Sequence, residues 1–259
     1  MKLLTLNTHS LIEPQYREKI GIFVKAIARL KPDIIAMQEV NQSRLSKIIQ
    51  NDGAFPIRQD NHALSVVNAL SEVGIKYNYV WQGIKYSYGI YEEGIAILSL
   101  GEIEATDSFY ISRTKEKKNW KTRMALGILV NGIWYYSTHM GRGDDKEEPF
   151  INQLSILNKK LRNKDKVWLM GDFNCPDNSD EYKSILNSGW YDTFDMAKNR
   201  DDGYSVTGEI DGWRDKKIKR MRIDYIFTNY PASVMDSQIV FNGENYGVIS
   251  DHCGVLISV

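Results

Sequence analysis

Two residues at the end of one apolar run give the first sign of chemistry in this sequence. The apolar residues 167–170 lead through Gly171 to Asp172 and Asn174, before a proline ends the run. Side chains two positions apart on an extended chain point to the same side, so the carboxylate and the amide can converge on one small ligand. The alternative is a strand that enters a turn, where Asp and Asn only bond the nearby backbone. This stretch alone leaves both interpretations open.

Other apolar runs of strand length also end at polar residues. Asp, Glu, Asn and His are the groups that hold a hard divalent cation and transfer a proton. Taken singly, each has an ordinary explanation as a turn residue, a solvated strand end, a cap or a rim histidine. Together they predict one polar site to which several strands contribute. The residues that end these runs are Asn7, Glu39, His139, Asp172, Asn174, Asp224, Asp251 and His252.

Several other kinds of site are absent from the sequence. It has no Cys/His spacing typical of zinc, no glycine-rich phosphate loop and no Gly-x-Ser-x-Gly elbow. Its two cysteines, Cys175 and Cys253, indicate a reducing compartment more than a disulfide framework. We expect both to be small buried thiols, although each lies beside a polar motif.

The composition is that of an ordinary soluble globular protein of 259 residues, 42% hydrophobic and 25% charged. Its 33 Lys and Arg balance 33 Asp and Glu, so no overall positive field indicates a nucleic-acid partner. No apolar run approaches the roughly 18 residues of a membrane span, and the N-terminus lacks a signal-peptide core. We therefore expect one domain over residues 1–259, no membrane partner, no obligate protein partner and a cytoplasmic location.

The polar residues must be positioned by strands that alternate with helices. Apolar periodicity predicts helices at residues 43–50, 63–73, 147–161 and 179–187, and one around the face that includes Phe23, Val24 and Ile27. Asn131-Gly132 predicts a two-residue hairpin. Two packed sheets with helices outside would bury this pattern and gather the polar strand ends at one rim. Strands are predicted at residues 1–8, 33–37, 77–81, 94–100, 103–111, 123–130, 133–138, 221–228, 233–241 and 253–259.

A set of short motifs resembles the endonuclease/exonuclease/phosphatase superfamily and occurs in that family's order. The resemblance implies an α/β fold in which two packed mixed β-sheets are flanked by helices, a four-layer sandwich like that of deoxyribonuclease. It also implies a metal site at one edge and hydrolysis of a phosphoester by a metal-assisted water. The motifs are LTLN at 4–7, IIAMQE at 34–39, EGIAILS at 93–99, STH at 137–139, GDFN at 171–174, RIDYI at 222–226 and SDH at 250–252.

The resemblance also implies metal ligands and groups for the attacking water. Glu39 would be the principal ligand of Mg²⁺ or Mn²⁺, with Asn7 and Asp251 beside it. Mg²⁺ keeps several waters and takes few carboxylates, which agrees with so short a ligand set. Asp172 would orient or deprotonate the attacking water, and Asn174 would hold a phosphate oxygen.

Two histidines complete the implied catalytic set. His252 would bond the scissile phosphate, with Asp224 fixing its tautomer. His139 would contact the phosphate or assist the leaving group, with Glu93 as its orienting carboxylate. Arg123 is a further candidate phosphate donor, the alternative being a surface cation that precedes a strand.

The resemblance extends to the substrate. Histidine at position 139, where the abasic-site branch of the family typically carries tyrosine, disfavours that branch. Residues 86–93 and 210–215 resemble a bacterial subgroup that includes maltose 6′-phosphate phosphatases. Aromatic and acidic residues near a phosphate site suit a sugar, so we expect a phosphomonoesterase for a small sugar phosphate; the alternative is that these aromatics belong to the core.

Two other functions stay open. A metal-dependent nuclease for DNA or RNA would use the basic runs at residues 115–118 and 214–220 to contact a phosphate backbone, although such runs are more often solvated loops. A non-catalytic binding protein on the same fold is the third hypothesis, and the complete set of acids, amides and histidines argues against it.

Overall fold

The computed structural model describes residues 1–51, 53–208, 210 and 220–259. No helix in these ranges is long and apolar enough to cross a membrane. The helices are α1 (Tyr16–Leu30), α2 (His62–Glu72), α3 (Phe150–Leu161), α4 (Asp180–Asn187) and α5 (Thr193–Met196), with a 3-10 turn at Ser10–Ile12. The strands are β1 (Lys2–Asn7), β2 (Ile34–Ser43), β3 (Ile48–Gln50), β4 (Ile57–Arg58), β5 (Asn78–Ser87), β6 (Tyr91–Ser99), β7 (Ala105–Tyr110), β8 (Met124–Val130), β9 (Ile133–His139), β10 (Val167–Asp172), β11 (Tyr191–Asp192), β12 (Asn199–Arg200), β13 (Asp224–Thr228), β14 (Asp236–Val240) and β15 (Gly254–Ser258).

The strands form two large sheets that pack face to face, with helices on both outer faces. One sheet has the order β12-β14-β15-β1-β2-β6-β5 and the other β11-β13-β10-β9-β8-β7. Helices α1 and α2 pack on the outside of the first sheet, and α3 and α4 on the outside of the second. The predicted four-layer α/β sandwich is therefore confirmed.

The central strands are apolar on both faces because both faces are covered. In β1, Leu4 and Leu6 pack against the helical layer, whereas Leu3 packs between the sheets. Trp168 and Met170 of β10 fill the same space between the sheets. Successive side chains of a strand point to opposite faces, so only a nearly continuous apolar run serves two layers at once.

Strand direction decides where the polar residues lie. Strands β1 and β2 are parallel and joined through α1, and β9 and β10 are parallel and joined through α3. Strand β13 runs antiparallel to β10, and β15 antiparallel to β1, so the residues that begin them reach the rim where β1 and β10 end. A hydrogen bond from Asn7 to Asp172 joins the two sheets at this rim.

Turn chemistry was predicted correctly where it is local. Asn131 and Gly132 join β8 to β9, with φ of 50° and 71°. Such left-handed values are what a two-residue hairpin requires. Ser179 caps α4 by accepting a hydrogen bond from the Tyr182 N–H, as its residue type indicated.

The predicted helix at residues 43–50 is wrong. Ser43 ends β2, and Ile48–Gln50 forms β3, which pairs with β4. Leu45 is exposed and so is Ile48, so a helix here would bury no apolar face. Without tertiary burial to stabilise a helix, the β-branched pair Ile48-Ile49 favours an extended chain.

Candidate active site

A cavity of about 630 Å³ opens at the rim where β1, β9 and β10 end, beside Glu39 of β2. Asn7 and Asp224 are almost fully buried behind it, and each hydrogen bonds to a residue of its wall. The structure therefore brings all the predicted site residues to one place. Those that lie in the wall itself are Glu39, Glu93, His139, Asp172, Asn174, Asp251 and His252.

Asp172 and Asn174 form a turn and also face the cavity. Asp172 Oδ1 accepts a hydrogen bond from the backbone N–H of Asn174 at 2.8 Å, and Asn174 adopts a left-handed φ of 49°. Asn174 Nδ2 lies 3.1 Å from His139 Nε2 and donates to Met140 O at 3.0 Å. The two interpretations that the sequence left open are thus compatible, because the turn fixes one carboxylate oxygen and leaves Oδ2 to the site.

Asn7 connects the two sheets behind the cavity. Its Nδ2 donates to Glu39 Oε1 at 2.9 Å and to Asp172 Oδ2 at 3.1 Å. Its Oδ1 accepts from the backbone N–H of His9 at 3.3 Å. One side-chain amide therefore holds two carboxylates from different sheets in a fixed relation.

Glu39 lies on a bulge within β2 and not at the solvated end of a strand. The pairing of β2 with β6 shifts register between Met37 and Val40, and Glu39 has a φ of 50°. A bulge leaves an extra residue outside the hydrogen-bonded ladder and redirects its side chain. Met37 and Val40 both stay in the core against the helices, so the bulge presents Glu39 to the cavity without interrupting the strand.

His252 is oriented by Asp224. The His252 Nδ1 atom is 2.8 Å from Asp224 Oδ2, and its Nε2 is 4.0 Å from Asp172 Oδ2. Burial alone would lower the pKa of His252, but the adjacent Asp224 carboxylate raises it to about 10. The ring is therefore an imidazolium at neutral pH, and its Nε2–H is available as a charged hydrogen-bond donor.

His139 has the opposite charge state. It pairs with Asp172 in the parallel register of β9 and β10, with Nε2 3.5 Å from Asp172 Oδ2. Burial lowers the pKa of His139 well below its ordinary value, and the positive charges of Arg123 and Lys85 lower it further. The ring is neutral at pH 7, and Nε2 accepts the amide hydrogen of Asn174.

Glu93 does not orient His139 as the resemblance implied. Its Oε1 is 3.0 Å from Lys85 Nζ, because Lys85 and Glu93 are opposite each other in the antiparallel pair β5 and β6 and so share a face. In the part of the chain that the structure describes, no hydrogen bond or ion pair joins Glu93 to His139. Glu93 instead holds a buried lysine in the cavity wall.

His9 and Glu13 extend the site beyond the predicted residues. His9 Nδ1 is 2.6 Å from Glu13 Oε1 and 3.9 Å from Asp251 Oδ1. Ser250 Oγ donates to the same Asp251 oxygen at 3.2 Å. The sequence contained two signals for these residues: His9 follows Asn7 at the spacing that separates Asp172 from Asn174, and Glu13 follows four positions later.

The acids of the site resist ionisation. Burial raises the pKa of Asp172 to about 7, and the Asp224 carboxylate adds to the effect. Burial also raises the pKa of Glu39, and the negative charge of Glu93 raises it further. Carboxyl groups opposed by burial and by neighbouring anions favour a bound cation. The oxygen donors of Glu39, Asp251 and Asn7 suit a hard divalent cation, so the residues fit Mg²⁺ or Mn²⁺.

The cavity wall also carries aromatic rings. Tyr86 and Tyr88 line it from the end of β5 and the turn that follows, and Trp120 lines it from the segment before β8. Of the aromatics in the predicted motif 86–93, Tyr88 is 57% exposed and is not a core residue, whereas Tyr86 is partly buried against the core. Arg123 lies in the same wall and is buried, so the interpretation of Arg123 as a surface cation is wrong.

The second predicted substrate motif is described only at its start. Ile210 is buried and contributes to the cavity wall. Residues 211–215 of the motif, and all of the basic run 214–220 except Arg220, lie outside the described residues.

Comparison with known proteins identifies relatives along the whole chain. The family model described as "Endonuclease/Exonuclease/phosphatase family" matches residues 4–252. A solved structure of an endonuclease/exonuclease/phosphatase family protein from Leptotrichia buccalis C-1013-b is 33% identical, with a TM-score of 0.90, over 100% of this chain and 98% of that chain. No protein among the curated sequences matches this one.

More distant structures share the fold. The mannosyl-6-phosphatase of Bacteroides thetaiotaomicron VPI-5482 has a TM-score of 0.71 at 15% identity, over 100% of this chain and 98% of that chain. The 3′-5′ exonuclease of Neisseria meningitidis has a TM-score of 0.68 at 19% identity, over 100% of this chain and 99% of that chain. At these identities the likeness concerns the fold alone.

Proposed function

The chain belongs to the endonuclease/exonuclease/phosphatase family, and we propose that it is a cytoplasmic phosphomonoesterase that releases phosphate from a small sugar phosphate. Enzymes of this family hydrolyse phosphoester bonds with a divalent metal ion, and this chain is such a hydrolase. The substrate is the new element of the proposal, because the fold is shared by a sugar phosphatase and an exonuclease.

The observation that carries the proposal is the composition of the cavity wall. A volume of about 630 Å³ is within the range of sites for small molecules. Tyr86, Tyr88 and Trp120 line it together with Asp172 and Asn174. A sugar phosphate has apolar ring faces, hydroxyl groups and one charged end, and this wall offers a partner to each.

Two described lysines, one in the cavity wall and one in the basic run 115–118, argue against a nucleic-acid backbone as the partner. Lys121 pairs with Asp145 and with Glu147 at 2.9 Å each, and Lys117 donates to the carbonyl of Ala54. Phosphate contacts by free Lys and Arg supply most of the affinity of a nuclease for its substrate. These two lysines already have partners within the protein.

The proposed chemistry assigns a task to each buried group. Asp172 takes a proton from the attacking water, since its Oδ2 faces the cavity and its pKa lies near 7. The His252 imidazolium donates a hydrogen bond to a phosphate oxygen and stabilises charge that develops during hydrolysis. The Asn174 amide does the same once one of its hydrogens leaves His139 Nε2. Neutral His139 offers an acceptor or a proton path on the leaving-group side.

Glu39, Asn7 and Asp251 would hold the divalent cation. When bound, Mg²⁺ or Mn²⁺ supplies positive charge to the phosphate oxygens. The Asn7 amide donates to both Glu39 and Asp172 and so fixes their relative position, and Ser250 donates to one oxygen of Asp251. These contacts set the spacing between the cation ligands and the proton acceptor.

A substrate screen tests the proposal. Purified protein with Mg²⁺ or Mn²⁺ is incubated with a panel of sugar phosphates, and with single-stranded, duplex and abasic oligonucleotides. We expect metal-dependent release of inorganic phosphate from one or more sugar phosphates, and none from the Asp172→Asn variant. Cleavage confined to oligonucleotides would favour the nuclease, and an inactive parent would favour the binding protein.

A further inference from the structure

Two buried cations share one acceptor in the cavity wall. Lys85 Nζ donates to the backbone carbonyl of Trp120 at 2.9 Å, and Arg123 Nη1 donates to the same oxygen at 2.9 Å. Lys85 is 6% exposed and Arg123 is 7% exposed. One carbonyl thus holds an ammonium and a guanidinium close together; we call Lys85 and Arg123 the cation pair.

Among the residues that the structure describes, the partners of the cation pair neutralise one of its two positive charges. Lys85 forms an ion pair with Glu93 at 3.0 Å. Arg123 donates to the carbonyls of Trp120 and Thr122, and its Nε is buried without a partner. Within the described residues, no carboxylate lies in ion-pair contact with Arg123. A buried guanidinium without an anion is costly, so this wall favours an anionic ligand.

The excess charge lies in the same cavity as the groups that we assign to phosphate and water. Lys85, Arg123, His139 and Asp172 all line this cavity. Both cations add to the effect of burial on His139, which keeps that ring neutral. Since His139 Nε2 is 3.5 Å from Asp172 Oδ2, the cation pair is close to the groups that we assign to phosphate and water.

We propose that the cation pair binds the second negative charge of a terminal phosphate and thereby selects phosphomonoesters over phosphodiesters. The inference rests on the proposed function and deepens it. A monoester carries nearly two negative charges at neutral pH, because its second pKa is near 6. A diester carries only one negative charge at neutral pH. It would place a neutral ester group against Lys85 and Arg123, and desolvation of these two cations would then be uncompensated.

Matched variants test the selection. Lys85→Gln and Arg123→Gln each remove one charge, and Lys121→Gln is the control because that lysine lines the cavity but pairs with Asp145 and Glu147. We expect kcat/KM for p-nitrophenyl phosphate to fall about 10- to 100-fold in the first two variants. The kcat/KM of these two variants for bis-p-nitrophenyl phosphate should change less than about threefold. The Lys121→Gln control should match the parent protein with both substrates.

Binding gives a second measurement that needs no turnover. Calorimetric titration of the metal-loaded protein with inorganic phosphate should show the same loss of affinity in Lys85→Gln and Arg123→Gln. Titration with dimethyl phosphate, which has one charge, should show no such loss of affinity in either variant. Arg123→Lys keeps the charge without the planar fork and should retain most of the preference. If Arg123→Gln unfolds at lower temperature, Lys85→Gln provides the charge-removing variant.

The outcomes separate the two proposals. An equal loss for the monoester and the diester, or unchanged affinity for inorganic phosphate, would overturn the role of the cation pair and leave the phosphatase intact. A parent that cleaves oligonucleotides but no monoester would overturn the proposed function, and the phosphate titrations would still decide whether the pair binds a dianion.

Discussion

Asn7 Nδ2 lies 3.1 Å from Asp172 Oδ2, although 165 positions of sequence separate the two residues. The same nitrogen donates to Glu39 Oε1 at 2.9 Å. The first contact joins the ends of β1 and β10, which belong to different sheets. The geometry of the site therefore depends on how the sheets dock, and a single amide links the proposed metal ligand to the proposed proton acceptor.

Replacing Asn7 leaves two carboxylates without their shared donor. A buried group that loses its partner costs about 1–3 kcal/mol, so Asn7→Ala should lower the free energy of unfolding in urea by that amount. Asn7→Asp adds a third carboxylate and should be less stable than Asn7→Ala in EDTA. Saturating Mg²⁺ should reverse the order, because a cation stabilises the clustered acids. The same order in EDTA and in Mg²⁺ would argue against a cation here.

Substitution of Glu39 should lower metal affinity, and substitution of His252 should lower turnover without lowering metal affinity. Glu39→Ala removes a proposed ligand, and we expect calorimetry to show Mn²⁺ binding weakened by more than about tenfold. His252→Ala should bind Mn²⁺ like the parent and lose about 10²- to 10⁴-fold in kcat, because it removes a charged donor and not a ligand. Unchanged metal affinity and full activity in both variants would contradict these assignments.

Protonation of Asp172 should cause the fall of kcat/KM at low pH, which forms the acid limb of the pH–rate profile. Burial, and then the Asp224 carboxylate, raise the pKa of Asp172 to about 7, and only the ionised form accepts a proton. At limiting Mg²⁺, kcat/KM should therefore fall about tenfold per pH unit below about pH 7. More Mg²⁺ should move the limb to lower pH, since a cation favours the carboxylate. A limb insensitive to Mg²⁺ would point to another group.

His62 should weaken the fold in mild acid. Burial lowers the pKa of His62 to about 3, whereas an unfolded chain binds that proton near pH 6.5. Between these values the unfolded state holds the extra proton, so stability falls as pH falls, by about 2 kcal/mol from pH 7 to 5. His62→Gln keeps an acceptor for the Tyr16 hydroxyl, which lies 2.8 Å from His62 Nδ1. Urea titrations should show a smaller loss in this variant; equal losses would exclude His62 as the source.

Gly171 and Gly21 should respond oppositely to alanine. Gly171 has φ of 149°, and an added Cβ would lie 1.9 Å from the Thr138 carbonyl oxygen. Gly171→Ala must therefore separate β9 from β10, and we expect a loss above about 3 kcal/mol with loss of activity. Gly21, inside α1, has no atom within 4 Å of such a Cβ, so Gly21→Ala should gain about 0.5–1 kcal/mol. Thermal unfolding of both variants compares the two.

Much of the site was predictable because strand ends are encoded locally. A continuous apolar run identifies a strand covered on both faces, as in β1 and β10, and the first polar residue marks its end. Asn7, His139 and Asp172 follow from that rule, and the parallel pairing of β9 with β10 then sets His139 opposite Asp172. Asp224 reaches the same rim because β13 runs the other way.

Other features depend on the partner strand and are invisible in a local pattern. The bulge at Glu39 exists only in relation to β6, and the pairing of Lys85 with Glu93 only in the register of β5 and β6. The exposed segment around Leu45 carried apolar residues at helical spacing, yet no layer of the fold covers it. Periodicity predicts which face is apolar, and tertiary packing decides whether that face is buried.

Strands β1 and β15 pair side by side, with Lys2 opposite Ser258. Asn7 therefore lies on a strand whose neighbour is translated after all the other described strands. A nascent chain halted before residue 254 presents β1 with one unpaired edge, and such edges recruit other chains. We expect ribosome-bound intermediates of this protein to lack activity, to depend on chaperones that shield exposed strands, and to mature in one late step when β15 leaves the exit tunnel.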